Sequence, residues 1–251
     1  EKHRKNIPLL GDCMITEKHV ISVQNDVGTS YKAYIDVQNE LVSGSSSVYW
    51  GEVDNMSLDF SKPADRVKAC KWFIDQVRAR FSEKGYQYVD LAGFYWIAED
   101  ASHTGNIITP IANYLNELKY SFNWIPFFNS DGHESWKELG FHYAYYQPNY
   151  YFDDKIPLTR LDEACKEALR CNMQMEMEFE DDVLAAHGKA YRLENYMAKF
   201  KEYGVWEKCR LAYYQSNNAL LTLKYSSEPA DVALYHKFCK FVIERPIRDS
   251  H

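Results

Sequence analysis

The chain has 251 residues, 46% of them hydrophobic and 26% charged, which is enough apolar content to bury a sizeable core and too much for a disordered chain. Thirty-six acidic against 29 basic side chains give a formal net charge of −7, and no Lys/Arg cluster is interleaved with aromatics, so no nucleic-acid partner is expected. No apolar run reaches the roughly 18 residues of a membrane span, so no membrane-spanning segment is expected either.

The N-terminal Glu1-Lys2-His3-Arg4-Lys5 lacks the apolar stretch of a signal peptide. The chain starts without methionine, so prior removal of a leader, and with it export, stays open as an expectation.

Short β-branched and aromatic runs then recur along the chain. They fall at Ile7–Met14, His19–Gln24, Val48–Val53, Gln87–Ile97, Tyr120–Phe128, Phe141–Gln147, Met173–Phe179 and Arg210–Gln215, eight strand candidates in all. Most of the gaps carry a helical pattern. The clearest spans Pro63 to about Glu83: Ser61 is placed to cap it, and Val67, Trp72, Phe73, Ile74, Val77 and Phe81 form an apolar stripe before Gly85. Further helices are predicted over Asn106–Leu118, Leu161–Leu169, Lys189–Tyr203 and Asp231–Ile243.

Strand and helix in alternation argue a parallel sheet. Eight units would close a barrel, whereas five or six would make an open doubly wound sheet. No GxGxxG or GxxxxGK[ST] marks the nucleotide uses of the open sheet. The expected fold is therefore a single α/β domain over residues 1–251, a (β/α)8 TIM-type barrel, irregular or incomplete at its N-terminus.

The most informative stretch is Met173 to Glu180. Strict alternation sets Met173, Met175, Met177 and Phe179 on one face and Gln174, Glu176, Glu178 and Glu180 on the other. In a barrel the outward face packs on helices, which points the carboxylates inward, toward the strand's C-terminal mouth. The competing interpretation is an antiparallel strand with those acids in solvent. Glu99 ends another strand run, ahead of the polar turn Ser102-His103-Thr104-Gly105. Catalytic groups of barrels sit at such ends, although a solvated strand end or helix cap explains Glu99 equally.

If both barrel placements hold, Glu99 and Glu178 face each other as the two carboxylates of glycoside hydrolysis, one donating a proton and the other attacking the sugar. Glu99 takes the acid/base role and Glu178 the nucleophile's, with Glu176 as the fallback. Candidate sugar contacts are Trp50, Tyr95, Trp96, Trp124, Tyr146 and Tyr214, together with the amides Gln147 and Asn149 flanking Pro148. Core packing is the alternative for the tryptophans, and backbone satisfaction within the turn is the alternative for the amides.

Six cysteines without a CxxC pair, and eight histidines without HExxH, lead to no expected metal or cofactor. Several of the cysteines sit in apolar contexts, as in Ala69-Cys70-Lys71-Trp72, and read as free buried thiols. An open-sheet hydrolase or cysteine enzyme is a further alternative, although no GxSxG is present.

Gly93-Phe94-Tyr95-Trp96 with Glu99, Trp124-Ile125-Pro126-Phe127-Phe128, Gly140-Phe141 with Gln147-Pro148-Asn149-Tyr150, and Met175-Glu176-Met177-Glu178 together resemble a bacterial family known as domain of unknown function 4855. The resemblance runs from about Trp50 onward. It implies a fold similar to TIM-barrel glycoside hydrolases and a setting among gut bacteria that use complex polysaccharides. The large retaining clan of such enzymes carries its acid/base and nucleophile on strands four and seven, the places of Glu99 and Glu178. The clan's Asn before the acid/base is replaced here by Ala98. The expected function is that of a carbohydrate-active protein, a retaining glycoside hydrolase acting on an oligo- or polysaccharide, with a non-catalytic glycan-binding protein as the alternative.

Overall fold

The computed structural model describes residues 20–25, 31–37, 51–216 and 218–246, the first two stretches as backbone. The chain divides into two compact units, Glu1–Tyr143 and Ala144–His251.

In the first unit, β1 (Val20–Asn25) pairs antiparallel with β2 (Tyr31–Val37). A hairpin follows, β3 (Gly51–Val53) with β4 (Met56–Leu58), and then helix α1 (Pro63–Lys84). Strand β5 (Val89–Trp96) lies parallel to β2; helix α2 (Gly105–Glu117) and β6 (Ser121–Trp124) come next, with β6 parallel to β5. Proline at the head of α1 suits a helix start, because its missing N–H has no intrahelical partner there. Ser61 does not cap the helix; its hydroxyl donates to Asp59 Oδ1 at 2.6 Å.

The second unit holds β7 (Tyr143–Tyr146, whose first residue ends the first unit), α3 (Thr159–Arg170), β8 (Gln174–Glu178), α4 (Ala190–Glu202), the short α5 (Val205–Lys208), β9 (Leu211–Tyr214), α6 (Ala219–Tyr225) and α7 (Pro229–Ile243). Strands β7, β8 and β9 are parallel neighbours in that order. From Met175 to Glu178 every residue of β8 is buried, as a parallel strand covered on both faces requires. The alternative of an antiparallel strand with its acids in solvent is thereby excluded.

The closed eight-stranded barrel is not formed. Among the described residues the parallel strands are fewer than eight, and β1 runs antiparallel. The Val48–Val53 run ends in the separate two-stranded hairpin instead of supplying a stave. The cause is local: Asp54 and Asn55 take positive φ of 52° and 61°, the tight turn that reverses a chain with the right twist for a hairpin. The Ile7–Met14 candidate lies outside the described residues, whereas Tyr31–Val37, absent from the expected strands, is the parallel neighbour of β5.

No helix among the described residues is long and apolar enough to cross a membrane. Cys70, Cys165, Cys171, Cys209 and Cys239 are free thiols.

One glycine fixes how closely two strands approach. A Cβ built on Gly93 would stand 2.2 Å from the carbonyl oxygen of Ser121, its partner on β6. Neither backbone can give way without breaking the ladder. Gly93→Ala is expected to cost about 3 kcal/mol through overpacking, lowering the melting temperature by roughly 6–12 °C for a chain of this size. A circular-dichroism melt within 2 °C of wild type would refute this close contact.

Candidate functional site

The C-terminal ends of β7, β8 and β9 bring several of the expected residues together in the second unit. Glu178 is the last residue of β8 and has 0% exposed surface. Its Oε2 accepts two hydrogen bonds, from the backbone N–H of Asn149 at 2.7 Å and from the hydroxyl of Tyr196 at 2.6 Å. Asn149 sits in a left-handed turn, φ 50°, which aims its N–H at the carboxylate. Glu176, one pleat back on the same strand, is also buried. Burial first, and then the charge of Glu178, hold the Tyr196 phenol well above its ordinary pKa of 10, with Glu176 adding a smaller push. Tyr196 therefore stays a donor, which is what a buried carboxylate needs.

Helix α4 holds the loop that follows β7. Its buried positions Arg192, Leu193, Tyr196, Met197 and Phe200 follow helical spacing, and two of them are polar. Arg192 donates through Nε and Nη2 to the carbonyl of Tyr150, and through Nη2 to the carbonyls of Asp153 (2.9 Å) and Ile156 (3.1 Å). Its guanidinium carbon lies 4.0 Å from the centre of the Tyr150 ring. Asn195 donates to the Tyr150 hydroxyl at 2.8 Å, and Arg160 Nη1 to the carbonyl of Pro148 at 3.2 Å. The loop from Pro148 to Ile156 is thus fixed by side chains of two helices, and with it the Asn149 N–H.

Tyr214, in register with Glu178 on β9, is 45% exposed. Phe152, 38% exposed, stands edge-on to it with ring centres 6.0 Å apart. Tyr146 is fully buried and serves packing. Gln147 is half-buried, and its amide oxygen is enclosed without a hydrogen-bond partner.

In the first unit the aromatic candidates are interior. Trp96 and Trp124 have no exposed surface and Tyr95 is buried. Trp124 stacks on Phe141 with centres 5.0 Å apart and donates to the carbonyl of Ala98 at 2.7 Å; Trp96 meets Phe122 edge-on. Glu99 follows β5 and keeps an exposed side chain, yet enough protein crowds its carboxyl that desolvation raises its pKa. Glu99 belongs to the first unit and Glu178 to the second. Trp50 lies outside the described residues.

Phe152, Arg192, Asn195 and Tyr196 were not among the expected site residues. The available signal was the helical stripe itself, in which Arg192 and Tyr196 fall one turn apart on the face that Leu193, Met197 and Phe200 bury.

The second unit thus carries, on a parallel α/β sheet, a buried, donor-held carboxylate at one strand's end and exposed aromatics beside it. A family model described as "Domain of unknown function (DUF4855)" matches residues 21–240, and the chain belongs to that family. No curated protein matches its sequence.

Two titrations follow. Below about pH 10 the Tyr196 phenol is neutral folded and unfolded alike; above it the unfolded chain ionises while the folded one resists, so stability falls. Tyr196→Phe should cost about 1.5–3 kcal/mol at neutral pH, and should flatten the decline between about pH 8 and about pH 11 seen in urea midpoints. An unchanged slope would remove Tyr196 from that role. For Glu99, whose raised pKa makes the charged form unfavourable in the fold, stability is fullest below its ordinary 4.5 and falls as pH rises through the raised value. Glu99→Gln should therefore raise the melting temperature at about pH 7 and leave it unchanged at about pH 4; a lower melting temperature at pH 7 would contradict this.

Proposed function

We propose that the protein acts on carbohydrate, as a glycoside hydrolase that uses Glu178 as its strand-end carboxylate and takes an oligo- or polysaccharide as substrate. The observation that carries this proposal is the Glu178 carboxylate itself. It is buried at the C-terminal end of a parallel strand, oriented by one phenol and one backbone N–H, beside two exposed aromatic rings. An ionised nucleophile needs such fixed donors, which set its direction and keep its charge tolerable in a dry site. Tyr214 and Phe152 supply flat apolar faces with a polar edge nearby, the surface on which a pyranose ring stacks.

A second proposal rests on a different observation. Glu178 has no exposed surface and its Oε2 already anchors the Asn149 loop. A carboxylate spent on holding a loop fits a protein that binds glycan through Tyr214 and Phe152 without cleaving it.

One experiment separates the two. The purified protein is screened against plant, host and microbial polysaccharides for released reducing ends and for thermal shift. A hydrolase releases sugar, and Glu178→Gln lowers the rate at least about 10³-fold while binding survives. Thermal shift without release, unchanged in Glu178→Gln but lost in Tyr214→Ala, selects the binding protein. No release and no shift from any glycan rejects both.

A further inference from the structure

The stripe that buries α1 reads Arg66, Ala69, Cys70, Phe73, Ile74 and Val77. Its spacing follows the helical repeat, and its first member is a cation. Arg66 is 5% exposed. Its Nη2 donates to Asn106 Oδ1 at 3.3 Å, while Nε and Nη1 are enclosed with no hydrogen-bond partner. Among the described residues no carboxylate forms an ion pair with it. The nearby acids are engaged elsewhere: Asp65 accepts from the Asp59 N–H at 3.0 Å, and Asp59 accepts from Ser61 and pairs with Lys62.

A buried guanidinium with two unmet nitrogens is costly, because each lost its water without gaining an acceptor. Arg192 shows the ordinary solution, three backbone carbonyls and an aromatic face around one buried arginine. Arg66 lacks it. What it has instead is the head of a second helix. Asn106 is the second residue of α2, a 13-residue helix whose N-cap Thr104 makes no side-chain cap and whose first turn holds no acid. The positive end of that helix thus faces the same place as the cation; the N–H groups of Gly105, Ile107 and Ile108 are met by the carbonyls of Ala101 and Thr104, but no acid stands in the first turn against the dipole.

The place is reachable. Asn106 is exposed, and a Cβ on Gly105 would meet nothing within 4 Å. The Asn106 amide oxygen occupies the position that one oxygen of an anion would take, with the guanidinium behind it. The surroundings are dry enough to make such a contact strong: burial pushes the Cys70 thiol, one turn along, up to about 12, against the opposing effect of the Arg66 charge.

We propose that Arg66, with Asn106 and the first turn of α2, forms a binding site for an oxyanion carried by a ligand, either a carboxylate or a sulfate or phosphate ester. With the exposed Asn106 amide turned aside, the guanidinium fork and the positive end of the α2 dipole face the ligand together, the combination that favours planar and tetrahedral oxyanions. This site does not rest on the glycan proposal; where both hold, the glycan is an acidic one.

The test uses thermal melts of the full chain in sodium glucuronate, sodium sulfate, sodium phosphate and sodium chloride at matched ionic strength. Wild type should gain several degrees over chloride with at least one oxyanion, saturably. Glucuronate alone identifies a carboxylate ligand; sulfate or phosphate alone identifies an ester. Arg66→Met keeps the stem packed and removes the charge, and it should melt at or above wild type in chloride while losing the oxyanion response. Asn106→Asp, on the surface, places a carboxylate against the guanidinium from within, and it should raise the melting temperature in chloride and abolish the response even where Arg66→Met fails to fold. An equal response in wild type and Asn106→Asp shows only the general effect of excluded salts and overturns the site, as does the absence of any response beyond chloride.

Discussion

A carboxylate with no exposed surface has to be matched donor by donor, and in the second unit that requirement organises most of what surrounds it. Glu178 sits where β8 ends, so its charge cannot reach water along the strand, and the Met175 and Met177 side of the strand is apolar core. Tyr196 answers with a hydroxyl and Asn149 with a backbone N–H. The second donor is available only because the loop after β7 is held in one course, and that course is held by Arg192, Asn195 and Arg160. Helix α4 thus contributes twice from one face, once through Tyr196 directly and once through Arg192 by way of the loop. Strand end, loop and helix depend on each other through a single charge, the kind of network in which removing one partner costs more than its own bond.

The two buried arginines mark opposite solutions to the same problem. Both fall in the apolar stripe of a helix, where a charge is paired or is otherwise unfavourable by several kcal/mol. Arg192 is enclosed by carbonyls that the chain itself supplies, and the gain is a rigid loop. Arg66 has one hydrogen-bond partner, the Asn106 side-chain amide at 3.3 Å, and two enclosed nitrogens without one. A native fold that leaves such a group unmatched inside itself is stable in spite of it.

Much of this was legible in the sequence, and the boundary has physical causes. The alternation from Met173 to Glu180 gave the strand, its two buried faces follow from parallel pairing, and Glu178 was already its key residue. Helices α1 to α4 and α7 matched their apolar periods within about two residues, since amphipathic spacing is a local property. The closed barrel was not legible, because strand count and direction depend on pairing between distant segments. The turn at Asp54-Asn55 was readable as hairpin chemistry, yet its neighbours are three-residue strands too short to show a period. Trp96 and Trp124 look alike as platforms or core, since composition does not say on which side of a strand the neighbours stand; Phe122 and Phe141 settle that. Tyr196 could not be joined to Glu178, because a contact across 18 residues of helix and loop leaves no spacing rule. Arg66 was in plain view, one residue from the Val67 that the stripe was first drawn through, and shifting the stripe by that residue puts a cation in the core.

Aromatic content, the feature that first suggested a sugar surface, divides along the same line between buried and exposed. The interior rings pack edge-on or stacked against one another, as in Trp124 on Phe141 and Tyr196 against Phe200, and they account for the composition without any ligand. Among the exposed rings, Tyr86, Tyr88, Tyr191 and Tyr225 included, one pair meets edge-on beside the Glu178 strand end. Tyr214 and Phe152 come from different segments, meet at 6.0 Å, and keep more than a third of their surface in water although each is large enough to stabilise the core if buried. They stand on β9 and on the loop that Arg192 holds, next in register to the Glu178 strand end. If the proposed glycan binds here, an apolar pair left in solvent on a rigid support, beside a carboxylate held at fixed direction, concentrates recognition on two rings and charge on one group. On the carbohydrate proposal, that division of labour, more than the number of aromatics in the chain, is what points to the strand ends of the second unit.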